Sequence, residues 1–321
     1  MTLLPILDVE HASQYQRTTL IQPRKGSGLP SGYGLREIKL LGKGSNNAVY
    51  LYKTKHGQEV VVRKPRRKSD TQRVGNATWE FRNTAIAVAI GVAPVMYDAW
   101  YTRHTTTDQK GGLHIICDYY PKDMHTLLME SPEVISENTD EIASIVSKAL
   151  RRMAENGLFC YDLKPSNMVV REDPKMDIKF IDFGRDFCEW RPYSDQNEHL
   201  DRAPILSFVQ SLADDNANTR YPAKELYVDL IYITMLVLLS SNIAYTLDQS
   251  STASRHSFAE NAILNFMAST LKSLRAQVDV KQVRLIKEIL RQRDIRDTLR
   301  HYMGRRNCGT KRCFYYAAFT L

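Results

Sequence analysis

The chain has 321 residues, of which 43% are hydrophobic, and it carries a formal net charge of +8 at pH 7. This hydrophobic content excludes an intrinsically disordered chain, and the length suffices for a large core and one or two domains. The positive charge is compatible with nucleic acid, but it also suits a site for anionic ligands and acidic substrates. We interpret the basic runs at 63–68, 281–300 and 305–312 as solvated surface, so a nucleic-acid partner is not favoured.

The cysteines and the apolar runs bear on the compartment. Five cysteines, an odd number without a tight framework, predict a reducing intracellular location. Cys308 and Cys313 are the one close pair, and without a second pair or nearby histidine ligands they do not predict a zinc site. The N-terminus lacks the charged-then-apolar pattern of a signal peptide. The apolar run 226–239 is interrupted by Asp229 and is short for a membrane span, so it predicts a buried helix and no membrane association.

The first third of the chain predicts an arm followed by a β lobe. Residues 1–34 contain several prolines, glycines and serines, and we expect them to be extended or poorly ordered. Apolar runs then predict short antiparallel strands as far as residue 120. These predicted strands are 38–41, 48–52, 60–62, 95–100 and 113–117. A hairpin turn at 55–58 joins the second and the third.

The turn between the first two predicted strands has the sequence GKGSNNAV, from Gly42 to Val49. Glycine lets backbone amides approach phosphate oxygens because no Cβ stands in the way. Gly42, Gly44, Ser45 and Val49 are therefore candidates for binding a nucleotide. Taken alone, the turn is equally typical of a plain hairpin.

Beyond residue 120, apolar residues at helical spacing predict a mainly helical region. The predicted helices are 142–153, which ends at Asn156-Gly157, then 223–243, 258–274 and 280–303. Asp229 lies within the apolar stripe of the second of these helices. A buried carboxylate is costly unless it is bonded, so this side chain should have a partner.

Residues 160–184 form the most informative segment, CYDLKPSNMVV followed by KFIDFG. Asp162, Lys164 and Asn167 lie close together in sequence, and Asp182 follows a pair of short predicted strands. Phosphoryl transfer with two magnesium ions requires such a set of groups. Asp162 would accept the substrate hydroxyl proton, Lys164 would neutralise the migrating phosphate, and Asn167 and Asp182 would hold the metals. A polar loop whose Asp and Asn serve turn geometry is the alternative interpretation.

This segment resembles the eukaryotic-type protein kinase family, whose catalytic loop reads HRDLKxxN and whose metal loop reads DFG. GKGSNNAV is similar to that family's glycine-rich GxGxxGxV, with Asn47 in place of the third glycine. The resemblance implies an α+β, bilobal protein-kinase-like fold, with a small antiparallel β lobe over 35–120 and a mainly helical large lobe over 121–303. A basic aromatic tail, 304–321, would pack on the large lobe. ATP and Mg²⁺ are the implied cofactors, and a protein is the implied substrate.

The resemblance also implies a strand cation that binds the α- and β-phosphates of ATP. The pattern allows Arg63 or Lys64, and because strand side chains alternate between faces, only one can point at the nucleotide. We favour Lys64, since a planar guanidinium is a poor substitute for an ammonium in a tight slot. Glu80, in the helix that follows, is its candidate partner. An ordinary exposed helical acid is the alternative role for Glu80.

Further roles follow from the resemblance alone. Cys117 would occupy the gatekeeper position, and the backbone of Asp118 and Tyr120 would bind the adenine edge. Asp123 would cap the next helix and could reach the ribose hydroxyls. Asp229 would tie the backbone of the catalytic loop, as the corresponding Asp does in the family.

The departures from the family pattern bear on regulation. Cys160-Tyr161 replaces the family's His-Arg, and no APE tripeptide follows the DFG sequence. Tyr161 cannot pair with a phosphate, so we expect activity without activation-loop phosphorylation. In these departures the chain resembles compact kinases of large DNA viruses and bacterial effectors. The cytoplasm is the expected location, and a host cell or a virion is also compatible with this resemblance.

Lys164 is typical of Ser/Thr protein kinases, so we predict transfer of the ATP γ-phosphate to protein Ser or Thr. Two alternatives remain at this point. The first is a pseudokinase, that is, a nucleotide-binding interaction module without transfer. The second is a small-molecule kinase that acts on an alcohol or an aminoglycoside-like compound. The sequence predicts no oligomeric state.

Overall fold

The structure, a computed structural model, describes residues 29–44, 47–66, 74–102, 112–184, 187–194, 203–248, 269, 280–295 and 297–298. The chain divides into two compact units. The first comprises Met1–Tyr120 with Ile181–Arg185, and the second comprises Pro121–Phe180 with Asp186–Leu321. An antiparallel sheet in the N-terminal unit and helices in the second confirm the predicted α+β, bilobal class.

The first unit is a five-stranded antiparallel sheet with one helix. Its elements are β1 (Arg36–Lys43), β2 (Asn47–Lys53), β3 (Glu59–Pro65), α1 (Val74–Ala89), β4 (Met96–Thr102) and β5 (Gly112–Asp118). The strand order is β1-β2-β3-β5-β4. Gly57 makes the predicted turn between β2 and β3 with a φ of 86°, a left-handed conformation that glycine adopts without a Cβ clash.

The two faces of this sheet pack against different parts of the chain. One face packs on α1, where Phe81 and Ala85 contact Leu113 and Ile115 of β5 and their neighbours. The other face packs on the segment before β1 through a second apolar cluster. That cluster contains Leu29, Tyr33, Leu35, Tyr52, Val60, Val62, Trp100 and Ile116. The sheet therefore has an α1 face and an opposite face, and each β3 side chain belongs to one of them.

The second unit contains two small sheets and most of the helices. Its elements are β6 (Lys122–Asp123), α2 (Met124–Glu130), α3 (Pro132–Glu137), α4 (Thr139–Glu155), β7 (Leu158–Cys160), β8 (Met168–Arg171), β9 (Asp177–Phe180), β10 (Cys188–Trp190), α5 (Pro204–Asn216), α6 (Ala223–Asp248) and α7 (Val280–Arg291). Strands β6, β8 and β9 form one antiparallel sheet in that order, and β7 pairs with β10. β8 and β9 are the paired short strands that the sequence predicted before Asp182.

Helices α4 and α6 carry the core of the second unit. α4 buries Ile142, Val146, Leu150 and Met153, the residues whose spacing predicted a helix. It ends at Glu155 and is followed by Asn156 and Gly157, the predicted end, where Gly157 has a φ of 64°. A Cβ at Gly157 would lie 2.0 Å from the carbonyl oxygen of Arg191, so no other residue fits this turn unchanged.

α6 is apolar on nearly every side and is the buried helix that the sequence predicted for 226–239. Asp229 lies within it and forms an ion pair with Arg151 of α4. The expectation that Asp229 ties the catalytic-loop backbone is therefore wrong, because its carboxylate is bonded to the neighbouring helix. Burial raises the pKa of Asp229, although Arg151 opposes the shift. Among the helices that the structure describes, none is both long enough and apolar enough to cross a membrane.

Helix α5 was not expected from the sequence. Pro204 stands in its first turn, where its missing N–H costs no hydrogen bond. The Glu189 carboxylate, on β10, accepts hydrogen bonds from the backbone N–H groups of Ile205 (3.1 Å) and Leu206 (3.2 Å). A local sequence pattern does not reveal this cap, because the carboxylate comes from a distant strand.

Several predictions fall outside the described residues. These are the arm as far as residue 28, Ser45 of the glycine turn, nearly all of the helix 258–274, the tail 304–321, and the pair Cys308 and Cys313. The last predicted helix begins at Val280 as expected, and α7 ends at Arg291.

Candidate active site

The loop between β7 and β8 brings together three of the predicted functional side chains. Lys164 Nζ lies 2.6 Å from Asp162 Oδ2. Asn167 closes a short 3-10 turn, Pro165–Asn167, and its Nδ2 donates to the backbone oxygen of Asp162 (2.9 Å) and to Asp162 Oδ2 (3.1 Å). The Asp162 carboxylate is thereby oriented and its charge is balanced. Because the amide nitrogen of Asn167 is bonded to Asp162, its carbonyl oxygen is the atom that remains to bind a metal.

The same loop is anchored at its start by Phe187, the residue before β10, and later by α6. The backbone N–H of Tyr161 donates to the carbonyl of Phe187 (3.0 Å), and the Tyr161 side chain is buried. Asn242 Nδ2, on α6, donates to the carbonyl of Leu163 (2.5 Å). The expected attachment of the loop to the central helix therefore exists, but Asn242 makes it and Asp229 does not.

A disulfide joins Cys160 and Cys188, which face each other across the β7–β10 pair. The cysteine count and local spacing had suggested no disulfide framework, and this pair was not predicted, because its members are 28 residues apart. The bond lies two residues before Asp162 and fixes the entry to the loop.

The metal loop, Asp182-Phe183-Gly184, belongs to the first unit. Asp182 is exposed and has a φ of 69°, and it is the one non-glycine residue of the described chain with a positive φ. Such a conformation costs energy and persists only where the surroundings hold it, which is common at functional sites. Phe183 is buried, and its carbonyl accepts a hydrogen bond from Asn83 Nδ2 of α1 (3.4 Å).

The β3 cation that pairs with Glu80 is Arg63 rather than Lys64. Arg63 is opposite Ile115 in the β3–β5 register, which places it on the α1 face, and it forms an ion pair with Glu80. Glu80 is buried, so it is not the ordinary exposed acid that was the alternative. Burial opposes the charge on Arg63, but Glu80, with help from Asp182, outweighs it and raises the pKa of Arg63. The prediction that Lys64 pairs with Glu80 is wrong, since strand alternation turns Lys64 away from α1.

Lys64 instead lies on the opposite face of the sheet. Its ammonium donates to the Tyr52 hydroxyl and lies 4.7 Å from the centre of the Tyr50 ring. Glu37 is 3.5 Å away. These contacts give Lys64 a role in packing that face.

The glycine turn shares a face with Arg63. Gly42 is opposite Val49, and Val49 is opposite Arg63, so the three positions line up across β1, β2 and β3. A Cβ built on Gly42 would meet nothing within 4 Å among the described residues. The Gly44 N–H donates to the backbone carbonyl of Asn47 (2.9 Å), a bond that does not involve the Asn47 side chain.

The residues predicted to contact adenine and ribose have definite partners. The Asp118 N–H donates to the Val95 carbonyl (2.9 Å), and the Asp118 carboxylate accepts from the Tyr97 hydroxyl. Burial raises the pKa of the Cys117 thiol to about 12. Tyr120 is buried. Asp123 caps α2 as predicted, accepting from the backbone N–H of Thr126 (2.7 Å).

Residues 35–189 match the family model described as the protein kinase domain. This match identifies the segment as a protein kinase domain. The match begins at β1 and ends in β10, so it includes the glycine turn, Arg63, Glu80, the catalytic loop and the metal loop. Phosphotransfer from a nucleotide is the chemistry of this family, and the chain is a kinase in that general sense.

The side chains of this kinase fit ATP on two observations. Nε and Nη2 of Arg63 are buried, and within the part of the chain that the structure describes they have no hydrogen-bond partner. Buried guanidinium donors of this kind carry a cost that an anionic phosphate oxygen would remove. No described residue would stand within 4 Å of a Cβ at Gly42, on the same face, which would let a phosphate come close to the backbone.

The donor set also fits Mg²⁺ better than a transition metal. Asn167 and Asp182 supply oxygen ligands, and among the described residues no cluster of three or more His, Cys, Asp or Glu side chains exists. Mg²⁺ takes few protein ligands and completes its shell with water and substrate phosphates. The amide oxygen of Asn167, in the second unit, and the carboxylate of Asp182, in the first, are each of the oxygen type that this ion binds.

Sequence reasoning missed three residues that hold these loops, Asn83, Asn242 and Cys188. Each acts on a segment far away in the chain, and no local motif marks it. Arg63 was recognised as an alternative, and the register of β3 with β5 was needed to choose it.

Proposed function

We propose that the chain transfers the γ-phosphate of ATP to Ser or Thr of protein substrates. The observation that carries this proposal is the bonding of Asp162 to both Lys164 and Asn167 in one loop. An oriented carboxylate can accept the proton of a substrate hydroxyl, and the ammonium 2.6 Å away can contact the phosphate that this hydroxyl attacks.

The roles follow from the chemistry of each side chain. Asp162 orients the substrate hydroxyl and accepts its proton. Lys164, whose side chain is 42% exposed, steadies the γ-phosphate during transfer. Asn167 and Asp182 are the side chains that we propose as ligands of Mg²⁺, which would neutralise phosphate charge when bound. The position of Lys164, two residues after Asp162, is what favours a protein Ser or Thr over a small alcohol.

The nucleotide is held by the α1 face of the first unit. The Arg63 donors that have no partner among the described residues bind phosphate oxygens, and Gly42 and Gly44 let the backbone of the turn approach those oxygens. The backbone of Asp118 and Tyr120 meets the adenine edge. Asp123 keeps one carboxylate oxygen beyond its cap for a ribose hydroxyl.

We further propose that activity does not depend on phosphorylation of the segment after the metal loop. Tyr161 stands where the family's phosphate-binding arginine stands, and its side chain is only 1% exposed. The entry to the loop is held instead by the disulfide and by the bond from Tyr161 to Phe187. A phosphatase-treated preparation and the variant Ser194→Ala should both keep the wild-type rate, and loss of activity in either would contradict constitutive activity.

Labelled γ-phosphate incorporation from Mg-ATP tests the proposed reaction. Wild type, Asp162→Ala and Asp182→Ala would be compared on a generic protein, with phosphoamino acid analysis of the product. Asp215→Ala, at an exposed acid of α5, is the matched control. We expect phosphoserine or phosphothreonine with wild type and the control alone. Equal labelling with Asp162→Ala would contradict the proposal, and competition by small alcohols rather than peptides would redirect it to a small-molecule substrate.

A nucleotide-binding module without transfer is the second candidate, and Arg63 favours it. A guanidinium is bulkier than an ammonium and holds phosphate in a fixed fork, which can bind ATP without the geometry for transfer. In that case ATP would raise the melting temperature of wild type, but neither wild type nor any variant would transfer labelled phosphate.

A further inference from the structure

Two asparagines, one in each unit, donate a hydrogen bond to a loop carbonyl, at 3.4 Å for Asn83 and 2.5 Å for Asn242. In the first unit, Asn83 of α1 donates to the carbonyl of Phe183, the residue after Asp182. In the second, Asn242 of α6 donates to the carbonyl of Leu163, the residue after Asp162. In each unit, a helix side chain thus binds the carbonyl of the residue that follows an aspartate with a role in the proposed reaction.

Asn83 is completely buried, with 0% of its surface exposed. A buried amide is costly unless it is bonded, so a packing role alone would be served better by an apolar side chain. Asn83 also lies one turn after Glu80 on α1, so the helix that holds Arg63 through Glu80 also holds the metal loop. Asp182 adopts a positive φ of 69°, a conformation that needs such support.

Asn242 lies on α6, the most buried helix of the second unit. Leu163 stands between Asp162 and Lys164, and its side chain is 3% exposed. A bond to its carbonyl therefore fixes the backbone that presents both charged groups. Asn167 holds Asp162 from the C-terminal side of the loop, so Asn242 completes a support on two sides.

We propose that Asn83 and Asn242 are positioning residues that set the geometry of the Asp182 and Asp162 carboxylates, respectively. The roles of those carboxylates rest on the proposed kinase function. Neither asparagine contacts a reacting group; each acts through the backbone of the loop that it holds. The shared chemistry is one amide N–H bound to one carbonyl, which an aspartate of the same size cannot reproduce because it has no donor.

The isosteric variants Asn83→Asp and Asn242→Asp remove the donor and leave the volume unchanged. Asn83→Leu and Asn242→Leu remove it without adding charge, which covers the case in which an aspartate variant fails to fold. Asn216→Asp is the matched control, because its Nδ2 donates to a backbone carbonyl at the end of α5, that of Leu212 (2.8 Å). Circular dichroism and the melting temperature would establish that each variant is folded.

The first readout is kinetic. For Asn242→Asp and Asn242→Leu we expect kcat to fall about 10- to 100-fold with the KM for ATP nearly unchanged, because a carboxylate displaced by a fraction of an ångström loses alignment rather than binding. For the Asn83 variants we expect the Mg²⁺ concentration for half-maximal rate to rise by about tenfold, because Asp182 is a proposed metal ligand. A merely structural role would lower the melting temperature without this split.

The second readout does not require activity. Amide hydrogen exchange of the nucleotide-free protein should be faster over 162–168 in the Asn242 variants and faster over 181–184 in the Asn83 variants, each loop responding to its own asparagine. Exchange and kcat both equal to those of Asn216→Asp, with Asp162→Ala inactive, would overturn the positioning role and leave the kinase proposal standing. Full activity of Asp162→Ala would overturn the kinase proposal, and exchange alone would then decide whether the asparagines hold the loops.

Discussion

At the scale of single residues, Arg63 and Lys64 show how adjacent cations acquire different roles. Arg63 has a buried partner in Glu80 and two buried donors without a partner among the described residues. Lys64 is bonded to a tyrosine hydroxyl on the far face, and its side chain is 28% exposed. Strand alternation alone separates the two environments, so their substitutions should have separate effects.

Arg63→Ala is expected to lower kcat/KM for ATP by about 10- to 100-fold, because a hydrogen bond to a charged group contributes about 1.5–3 kcal/mol. Lys64→Ala is the control on the neighbouring position. It loses a partly exposed ion pair that contributes up to about 1 kcal/mol to stability, and it lies on the face opposite α1. We therefore expect kcat/KM for ATP to change by less than about fivefold. Steady-state kinetics at varied ATP measures both. The reverse order of effects would mean that Lys64 faces the nucleotide after all.

His114 should make the stability of the first unit depend on pH. Its ring stacks on Trp100 at 4.8 Å, and burial, with Lys64 and Arg63, lowers the pKa of His114 to about 4. An unfolded histidine titrates near 6.5, so between these values the unfolded chain binds the additional proton. The contribution of neutral His114 to the stability of the folded unit is therefore present above about pH 6.5 and is lost as the pH falls towards 4.

From this shift we expect the free energy of unfolding to fall by about 2 kcal/mol between pH 7 and pH 5 on account of His114. His114→Phe keeps a ring against Trp100 and cannot be protonated. Its melting temperature should therefore fall less than that of wild type over the same pH range, whatever its absolute value. Parallel pH profiles of the two proteins would show that His114 does not titrate in this window.

At the scale of elements, the β7–β10 pair joins the entry of the catalytic loop to the segment after the metal loop. Three residue pairs form this ribbon, and a disulfide crosses it at Cys160 and Cys188. Two strands of this length are weak by themselves, so the covalent bond and the Tyr161–Phe187 hydrogen bond carry much of the connection. Reduction should loosen this ribbon first.

Reduction of the disulfide is expected to lower the stability of the second unit by about 3–4 kcal/mol, given the sequence separation of 28 and the chain-entropy model. The melting temperature with and without a dithiol reductant measures it. Cys117→Ala, which removes a thiol outside any disulfide, should keep the reductant-dependent shift, whereas Cys160→Ala with Cys188→Ala should abolish it. Alkylation of both cysteines in the denatured, unreduced protein would contradict the disulfide.

The elements also show which features of the fold a sequence contains. α4 and α6 were predicted because periodicity or a long apolar run is a local property. α5 was missed because its cap, Glu189, comes from a distant strand. The choice of Arg63, the disulfide, and the bonds of Asn83 and Asn242 depend on register or on residues far apart in sequence. The catalytic loop itself was recognisable because its three functional groups fall within one short segment.

At the scale of the whole molecule, the chain has a net charge of +8, and the ligand that we propose for it, ATP, is an anion. Much of this charge is expected on solvated surface, where it contributes little to stability but attracts acidic partners over about a Debye length, about 10 Å at 0.1 M salt. Complementary charge of this kind accelerates encounter more than it strengthens the final contacts. The proposed protein substrate should therefore be selected partly by its own charge.

Paired peptides with one acceptor serine, flanked either by Asp and Glu or by Lys and Arg, test this at saturating Mg-ATP. We expect the acidic peptide to have the lower KM at about 50 mM salt, and that KM to rise several-fold by about 300 mM as screening shortens the field, with kcat little changed. The KM of the basic peptide should stay level or fall over the same range, because screening removes repulsion. Saturating nucleotide is essential, since ATP is itself an anion and its own KM should rise with salt. A preference for the basic peptide at every salt concentration would mean that local groups near the catalytic loop, rather than the net charge of the chain, choose the substrate.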